Sequence, residues 1–388
     1  RTIIIFFIIN LFYFLINIYK SEQLNVISYD NSYLNYKDED KIDNNIYYII
    51  LDGMNSIERM TDSNIGLSKH FENFKINLKE NEYIYLENSI SSYNTTYLSL
   101  ASIFYNNYPV NENSIKYLNR DLFFPNFFIK NHNNISLINF LKNNNYNFSW
   151  IGNNFRPDSL TPQHSLIKNK NFIFEYFYQN ISLIFLFFEN SYIDGVIRKI
   201  IKLKNKDVKN IDNNDAILKL TNFINSKNFH QSSKHYFFVH HIYPHTPFIL
   251  NKDCTYKKQV DKNFKTGYLD NYLCTLNKIN DLIGLLSKKD PNSIVVLQAD
   301  HGWELNKKNS QDTRFFFTKD RIEIFNAIKL PEKYKRFATE KLDNVNTSRL
   351  INSIILDVEP KLLEKKTFFG YYEFQNSKNY GKVKLYEN

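Results

Sequence analysis

Apolar residues along this chain fall into short runs, each ending abruptly at a polar turn. The clearest is within Ser293–Glu304, SIVVLQADHGWE, where Ile294 to Leu297 give way to Gln298-Ala-Asp-His-Gly. A short apolar run rich in Val and Ile predicts a buried strand in a sheet covered on both faces. The same grammar recurs at Ile46–Leu51 (IYYIIL, then Asp52-Gly53), Tyr83–Ile90, Phe148–Gly152, His235–Ile242 (HYFFVHHI) and Arg321–Leu330. Between these runs the apolar positions take helical spacing, over Ser63–Glu80, Asn134–Asn145, Asp212–Asn228, Tyr268–Leu286 and Asn346–Leu356. Leu98, Ala101, Ile103 and Phe104 predict a further helix starting near Thr95 or Thr96. Strands alternating with helices predict an α/β domain with a mostly parallel, helix-covered sheet. No internal repeat is visible.

One apolar run is of another kind. Thr2–Tyr19, TIIIFFIINLFYFLINIY, carries no charge. At ~1.5 Å per residue it just spans a hydrocarbon core of ~30 Å, so it predicts an N-terminal transmembrane helix. No small-residue cleavage site follows, which favours an uncleaved anchor over a signal peptide. The chain opens on Arg1 rather than Met, leaving open further sequence and further spans upstream. Ser21–Asn45 is polar and aperiodic and reads as a linker. The expected organisation is therefore an anchor over 1–20, a linker over 21–45, a catalytic domain over 46–360 and a C-terminal tail over 361–388. A lipid bilayer is the expected partner, with the domain on the extracytoplasmic side.

Composition changes this picture little. The 388 residues suffice for a large single α/β domain. Aromatic content is high, at 16%, and Asn, Ile, Lys, Tyr and Phe are crowded, a bias of the kind an AT-rich genome imposes. That bias weakens any reading of the net charge of +9. The lysines are scattered and the basic stretches Arg198–Lys209 and Lys333–Arg336 are short, so a solvated surface is expected and no nucleic-acid partner. Asn171–Phe188 is very aromatic and suits either the core or the bilayer surface. The two cysteines, Cys254 and Cys274, are not a Cys-x-x-Cys pair, which excludes zinc-finger and thioredoxin readings. A disulfide outside the cytoplasm and two unpaired thiols both remain open. Asn94-Thr95-Thr96 matches a glycosylation acceptor, but such matches are frequent by chance in so Asn-rich a chain.

The candidate chemistry sits where the strands end. In open α/β sheets ligands bind just beyond the carboxyl ends of the strands. There the chain places Asp52, Asp300 and His301, and, shortly after another strand, Thr96. An anionic oxygen beside an imidazole suits a divalent metal. A hydroxyl at a helix N-terminus faces free N–H groups and the positive end of the dipole, which suits a nucleophile attacking a phosphate or sulfate; plain capping is the alternative. Pro244 and Pro247 stiffen the loop that presents His245. His240 and His241 are lesser candidates, and strand alternation puts them on opposite faces, so at most one meets the site.

Together these segments resemble the sulfatase-like branch of the alkaline phosphatase superfamily. YIILDGM resembles its first metal-binding strand, and Thr96-Tyr-Leu-Ser-Leu-Ala the nucleophile helix of threonine-dependent members such as phosphoethanolamine and phosphoglycerol transferases. YPHTPF resembles the family's histidine-proline loop. YLDNYLCTLNKINDLI followed by VVLQADHG resembles its late helix and metal strand. The resemblance covers roughly Asn45 to Leu356 and implies a metal-dependent enzyme with the alkaline phosphatase/sulfatase type of fold. By it, Asp52, Asp300 and His301 are metal ligands and Thr96 is both ligand and nucleophile. Thr95 is the competing choice, and the T-x-x-S spacing to Ser99 favours Thr96. His245 contacts the ester oxygens or protonates the leaving group. The metal implied is zinc, manganese, magnesium or calcium, and the substrate an envelope or cell-surface ester. The Cys/Ser-x-Pro-Ser-Arg motif of formylglycine sulfatases does not occur, and neither cysteine lies near the nucleophile position. The expected reaction is therefore hydrolysis or transfer of a phosphate ester. A sulfuric-ester hydrolase and a degenerate, non-catalytic binding domain are the alternatives.

Overall fold

The structure is a computed structural model and describes residues 42–62, 68–111, 136–152, 215–231, 234–305, 317–370 and 383–386. The expected anchor over 1–20, the linker as far as residue 41 and the aromatic stretch Asn171–Phe188 lie outside the described residues. Among the described residues no helix is long and apolar enough to cross a membrane.

A six-stranded sheet forms the centre, in the order β2-β6-β5-β1-β4-β3. Its strands are β1 (Ile46–Leu51), β2 (Ile84–Tyr85), β3 (Asn147–Gly152), β4 (His235–His241), β5 (Ile294–Gln298) and β6 (Asn326–Lys329). β5, β1, β4 and β3 run parallel, while β6 is antiparallel to both its neighbours. β1 is central and buried along its whole length, which is why its run carries no alternation. The α/β architecture and mostly parallel sheet match the expectation from the hydrophobic pattern.

Helices cover both faces. Helix α3 (Thr96–Tyr105) packs on α4 (Ser136–Asn143) and α7 (Asn344–Ile355). Helix α6 (Phe264–Lys289) packs on α2 (Ser68–Glu80) and α5 (Ala216–Ile224), and α1 (Ile57–Asp62) follows the β1 turn. Strand alternation sorts the aromatic core between the two layers. Phe104 of α3 lies against Trp150 and Phe238, with Tyr48 beside Phe238, whereas Tyr47 stacks on Phe237, which meets Phe223 of α5.

Two predicted strands are shorter than expected. Tyr83–Ile90 keeps only Ile84–Tyr85 in the sheet, because the chain turns at Asn88, whose φ is 58°. Arg321–Leu330 pairs regularly only over Asn326–Lys329. Its first residues bond to loops instead: Ile324 N donates to Ser89 O and Phe325 N to Met54 O. Beyond α7 the chain forms a two-stranded ribbon, β7 (Phe368–Gly370) with β8 (Val383–Leu385). Phe368 stacks on Tyr93, and Thr367 Oγ1 donates to Ser91 O.

Cys254 and Cys274 form a disulfide, resolving the alternatives that their spacing left open. It ties the loop after the Pro247 turn to α6 across a sequence separation of 20 residues. Closing a loop of that length removes roughly 3 kcal/mol of unfolded-state entropy. A Cys254→Ser/Cys274→Ser protein should therefore lose about 3 kcal/mol in denaturant unfolding, with its metal content unchanged.

Candidate active site

The parallel register delivers the site. Ile50 pairs with Gln298 and Leu51 with His241, so β1, β5 and β4 end at the same level. Asp52 and Asp300 follow the ends of adjacent strands, and both are buried. The turn after β1 needs a glycine: Gly53 has φ 71°, and its amide donates to Asp300 Oδ1 at 3.0 Å. The turn after β5 needs one for a different reason. A Cβ at Gly302 would stand 2.1 Å from Asp320 O. Asn55 ties these turns together, donating to Asp320 O at 2.7 Å and accepting from Trp303 N at 2.9 Å. Tyr268 of α6 braces them from below, with its hydroxyl 2.7 Å from Asn55 Oδ1.

His301 is held in one tautomer. Its Nδ1 lies 2.8 Å from Gly302 O, an acceptor only, so Nδ1 carries the proton and Nε2 presents its lone pair. Thr96 Oγ1 is 2.9 Å from that Nε2. Asp300 Oδ2 is 3.5 Å away and Asp52 Oδ1 3.7 Å. Donor atoms of Asp52, Asp300 and His301 all lie within 4.8 Å of one another. Thr96 is the first residue of α3, and Thr95, the residue before it, is extended and makes no side-chain cap bond. The capping alternative therefore fails for Thr95. Its hydroxyl is buried without a hydrogen-bond partner, while that of Thr96 reaches His301.

His245 enters from the proline loop, with its amide donating to Asp52 O at 3.1 Å. Its Nδ1 donates to Thr246 O at 3.0 Å, and its ring centroid is 6.2 Å from that of His301 and 4.9 Å from Trp303. The structure thus brings Asp52, Thr96, His245, Asp300 and His301 to one place. His240 and His241 part as alternation requires. His240 Nε2 is 3.3 Å from Asp52 Oδ2, whereas His241 turns to the other face, 3.6 Å from Asp215.

Electrostatics distinguish the two carboxylates. Burial would raise Asp52, but His245, His240 and His301 outweigh it and hold the acid well below the usual carboxylate range. Asp300 is raised to about 6, by burial and then by the charge of Asp52. Burial and the neighbouring Arg321 keep His301 neutral, far below the usual histidine range. Two buried carboxylates and a neutral imidazole whose Nε2 lies near both make a set that wants a cation.

These residues fit a divalent metal ion. Asp52 Oδ1 is buried without a hydrogen-bond partner, and His301 bonds a backbone carbonyl through its far nitrogen, the support that metal-bound histidines usually have. Asp52, Asp300 and His301, with the Thr96 hydroxyl beside them, would hold it.

The family model Sulfatase matches residues 44–337. The chain belongs to the sulfatase family. Its fold is similar to the C-terminal periplasmic domain of EptC from Escherichia coli, at 15% identity, a TM-score of 0.52, and coverage of 91% of this chain and 95% of that one. The zinc complex of that domain gives a TM-score of 0.50 at the same identity and coverage. The soluble domain of lipooligosaccharide phosphoethanolamine transferase A from Neisseria meningitidis gives 0.47 at 11% identity, covering 83% of this chain and 90% of that one. No curated protein sequence matches. As a sulfatase-family protein, the chain is an enzyme, a phospho- or sulfo-ester hydrolase or transferase. Domains of this family bind a divalent metal.

Sequence reasoning missed Arg321 of this sulfatase-family site. The hydrophobic pattern puts it at the start of a strand and gives it no functional role. Because β6 runs antiparallel, residues before its start lie at the edge where the parallel strands end. Arg321 Nη2 is 3.2 Å from His301 Nε2. A basic residue preceding an antiparallel strand was the available signal.

Two measurements follow from this geometry. Elemental analysis of the purified protein should find stoichiometric divalent metal, lost in an Asp300→Ala/His301→Ala variant that still folds. The second concerns His241, which burial lowers to about 4. A histidine with a depressed folded pKa loses stability as pH falls from its unfolded value near ~6.5 toward ~4. In denaturant unfolding across that window, His241→Asn should flatten the acid loss by roughly 3 kcal/mol.

Proposed function

We propose that this protein is a membrane-anchored, metal-dependent enzyme that hydrolyses or transfers a phosphate-ester group through Thr96. The observation that carries this reading is the Thr96 hydroxyl, at the N-terminus of α3 and 2.9 Å from His301 Nε2, beside two buried carboxylates. A metal held by Asp52, Asp300, His301 and Thr96 would supply Lewis acidity, lowering the hydroxyl pKa and offsetting charge on the ester oxygens.

The remaining chemistry belongs to the chain. Thr96 Oγ1 gives up its proton to solvent and attacks phosphorus in line with the departing ester oxygen. The new bond is Thr96 Oγ1–P, and the bond broken is P–O to the leaving group. The N-terminal end of α3, where Thr96 sits, favours the negative charge of the phosphoryl group. His245 contacts the ester oxygens or delivers a proton to the leaving oxygen. The phospho-threonine then passes its group to water or to an envelope acceptor, regenerating the hydroxyl.

Placement outside the cytoplasm is supported by the Cys254–Cys274 disulfide, a bond of oxidising compartments, and by the likeness in fold to a periplasmic domain. The uncharged apolar run Thr2–Tyr19 supports anchoring in a lipid bilayer, which would bring the site to envelope or cell-surface esters. The scattered lysines support no nucleic-acid partner.

Thr96→Ala should abolish turnover of an aryl phosphate while leaving the unfolding transition in place; retained turnover would sink the nucleophile assignment. Aryl phosphate should be turned over faster than aryl sulfate, and the reverse order would favour a sulfuric-ester hydrolase.

A further inference from the structure

Arg321 is almost entirely buried, at 5% exposure, and is fixed from three sides. Its Nε donates to Asn94 O at 2.8 Å, in the loop leading to Thr96. Its Nη1 lies 3.3 Å from Glu304 Oε2, itself buried. Its Nη2 lies 3.2 Å from His301 Nε2, the atom that the Thr96 hydroxyl also approaches. Its backbone is locked as well, since Arg321 O accepts from Gly302 N at 2.8 Å. A guanidinium is thus held beside the nucleophile by the two loops that carry the site.

Burying a cation is costly, and a purely structural arginine is normally satisfied away from reacting atoms. Glu304 orients this one and offsets part of that cost, yet one arm of the planar fork points at the centre of the site. The charge balance of the site gives that arm a use. Asp52 and Asp300 together match the charge of one divalent cation, so the charge of an incoming ester must be met by other groups. In phosphoryl transfer the negative charge spreads over the non-bridging oxygens, which a guanidinium matches in shape and charge.

From this we infer that Arg321 is a substrate-binding residue that donates to a non-bridging oxygen of the ester group attacked by Thr96, with Glu304 as its positioning partner. The inference rests on the Thr96 reading for the reaction, but Arg321 would bind a tetrahedral oxyanion whichever hydroxyl attacks.

The test is calorimetric binding of inorganic phosphate to the full, metal-loaded chain, with metal content and Tm measured alongside. Arg321→Ala should weaken phosphate binding roughly tenfold or more. Arg321→Lys, which keeps the charge and loses the fork, should fall between it and the unmodified protein. Added guanidinium ion should restore part of the lost affinity to Arg321→Ala. Unchanged affinity in a folded, metal-loaded Arg321→Ala protein would overturn the inference. If that variant does not fold, unchanged affinity in Arg321→Lys would do the same. An affinity loss that tracks lost metal and is not rescued by guanidinium would reduce Arg321 to a structural role, and an unmodified enzyme that binds no phosphate would also overturn it. Failure of the Thr96 reading shows separately, as turnover retained in Thr96→Ala, and leaves the phosphate measurement valid.

Discussion

Two carboxylates buried side by side are the constraint on which the rest of this site depends. Asp52 and Asp300 sit on adjacent central strands, and their mutual repulsion in a low-dielectric setting is unfavourable unless something positive lies between or around them. Three histidines surround Asp52 and depress it, while Asp300 is left raised. Such an arrangement persists only when the surrounding fold enforces it. Here the register of β5, β1 and β4 does so, since a one-residue slip would exchange the side chains packed against the two helical layers. The pair makes sense as the anionic half of a metal centre.

Helix α3, which opens on Thr96, is held by a different kind of contact. Every residue of α7 is buried, although seven of its 12 positions are polar. Those polar groups bond the ends of α3 and of the loops around it. Ser348 Oγ donates to Ile103 O at 3.0 Å and Arg349 Nη1 to Asn106 O at 3.0 Å, fixing the C-terminal end of α3. At the other end, Asn344 Oδ1 accepts from Ser92 N at 2.9 Å, and Asn94 Oδ1 from Gly370 N at 2.8 Å. Thr96 is therefore placed by hydrogen bonds with definite directions, which specify a position more sharply than apolar packing can. The segment after α7 contributes to that placement through β7.

A family named for sulfate esters does not by itself name the ester cleaved. The chain has no Cys/Ser-x-Pro-Ser-Arg motif, and its cysteines are joined to each other away from α3. The residue that opens α3 is Thr96, an ordinary hydroxyl. Thr96 and the carboxylates that follow β1 and β5 are supplied by separate elements that meet only in the folded sheet, so one can change without the other.

The amino-acid sequence alone determined the α/β class, the central strands and the residues at their ends. Apolar runs that stop at an acid and a glycine report burial and a tight turn together, so Asp52, Asp300 and His301 were legible, as was Thr96 at the start of its helix. Strand alternation also separated His240 from His241 before any contact was known. Only tertiary structure could decide what depends on partners distant in the chain. The disulfide, the partners of the Thr95 and Thr96 hydroxyls, and the tautomer of His301 are of this kind, because local pattern is the same for either outcome. Arg321 was hidden for a directional reason. A strand's sequence does not record whether it runs with or against its neighbours, and that direction alone carries the residue before β6 to the catalytic edge.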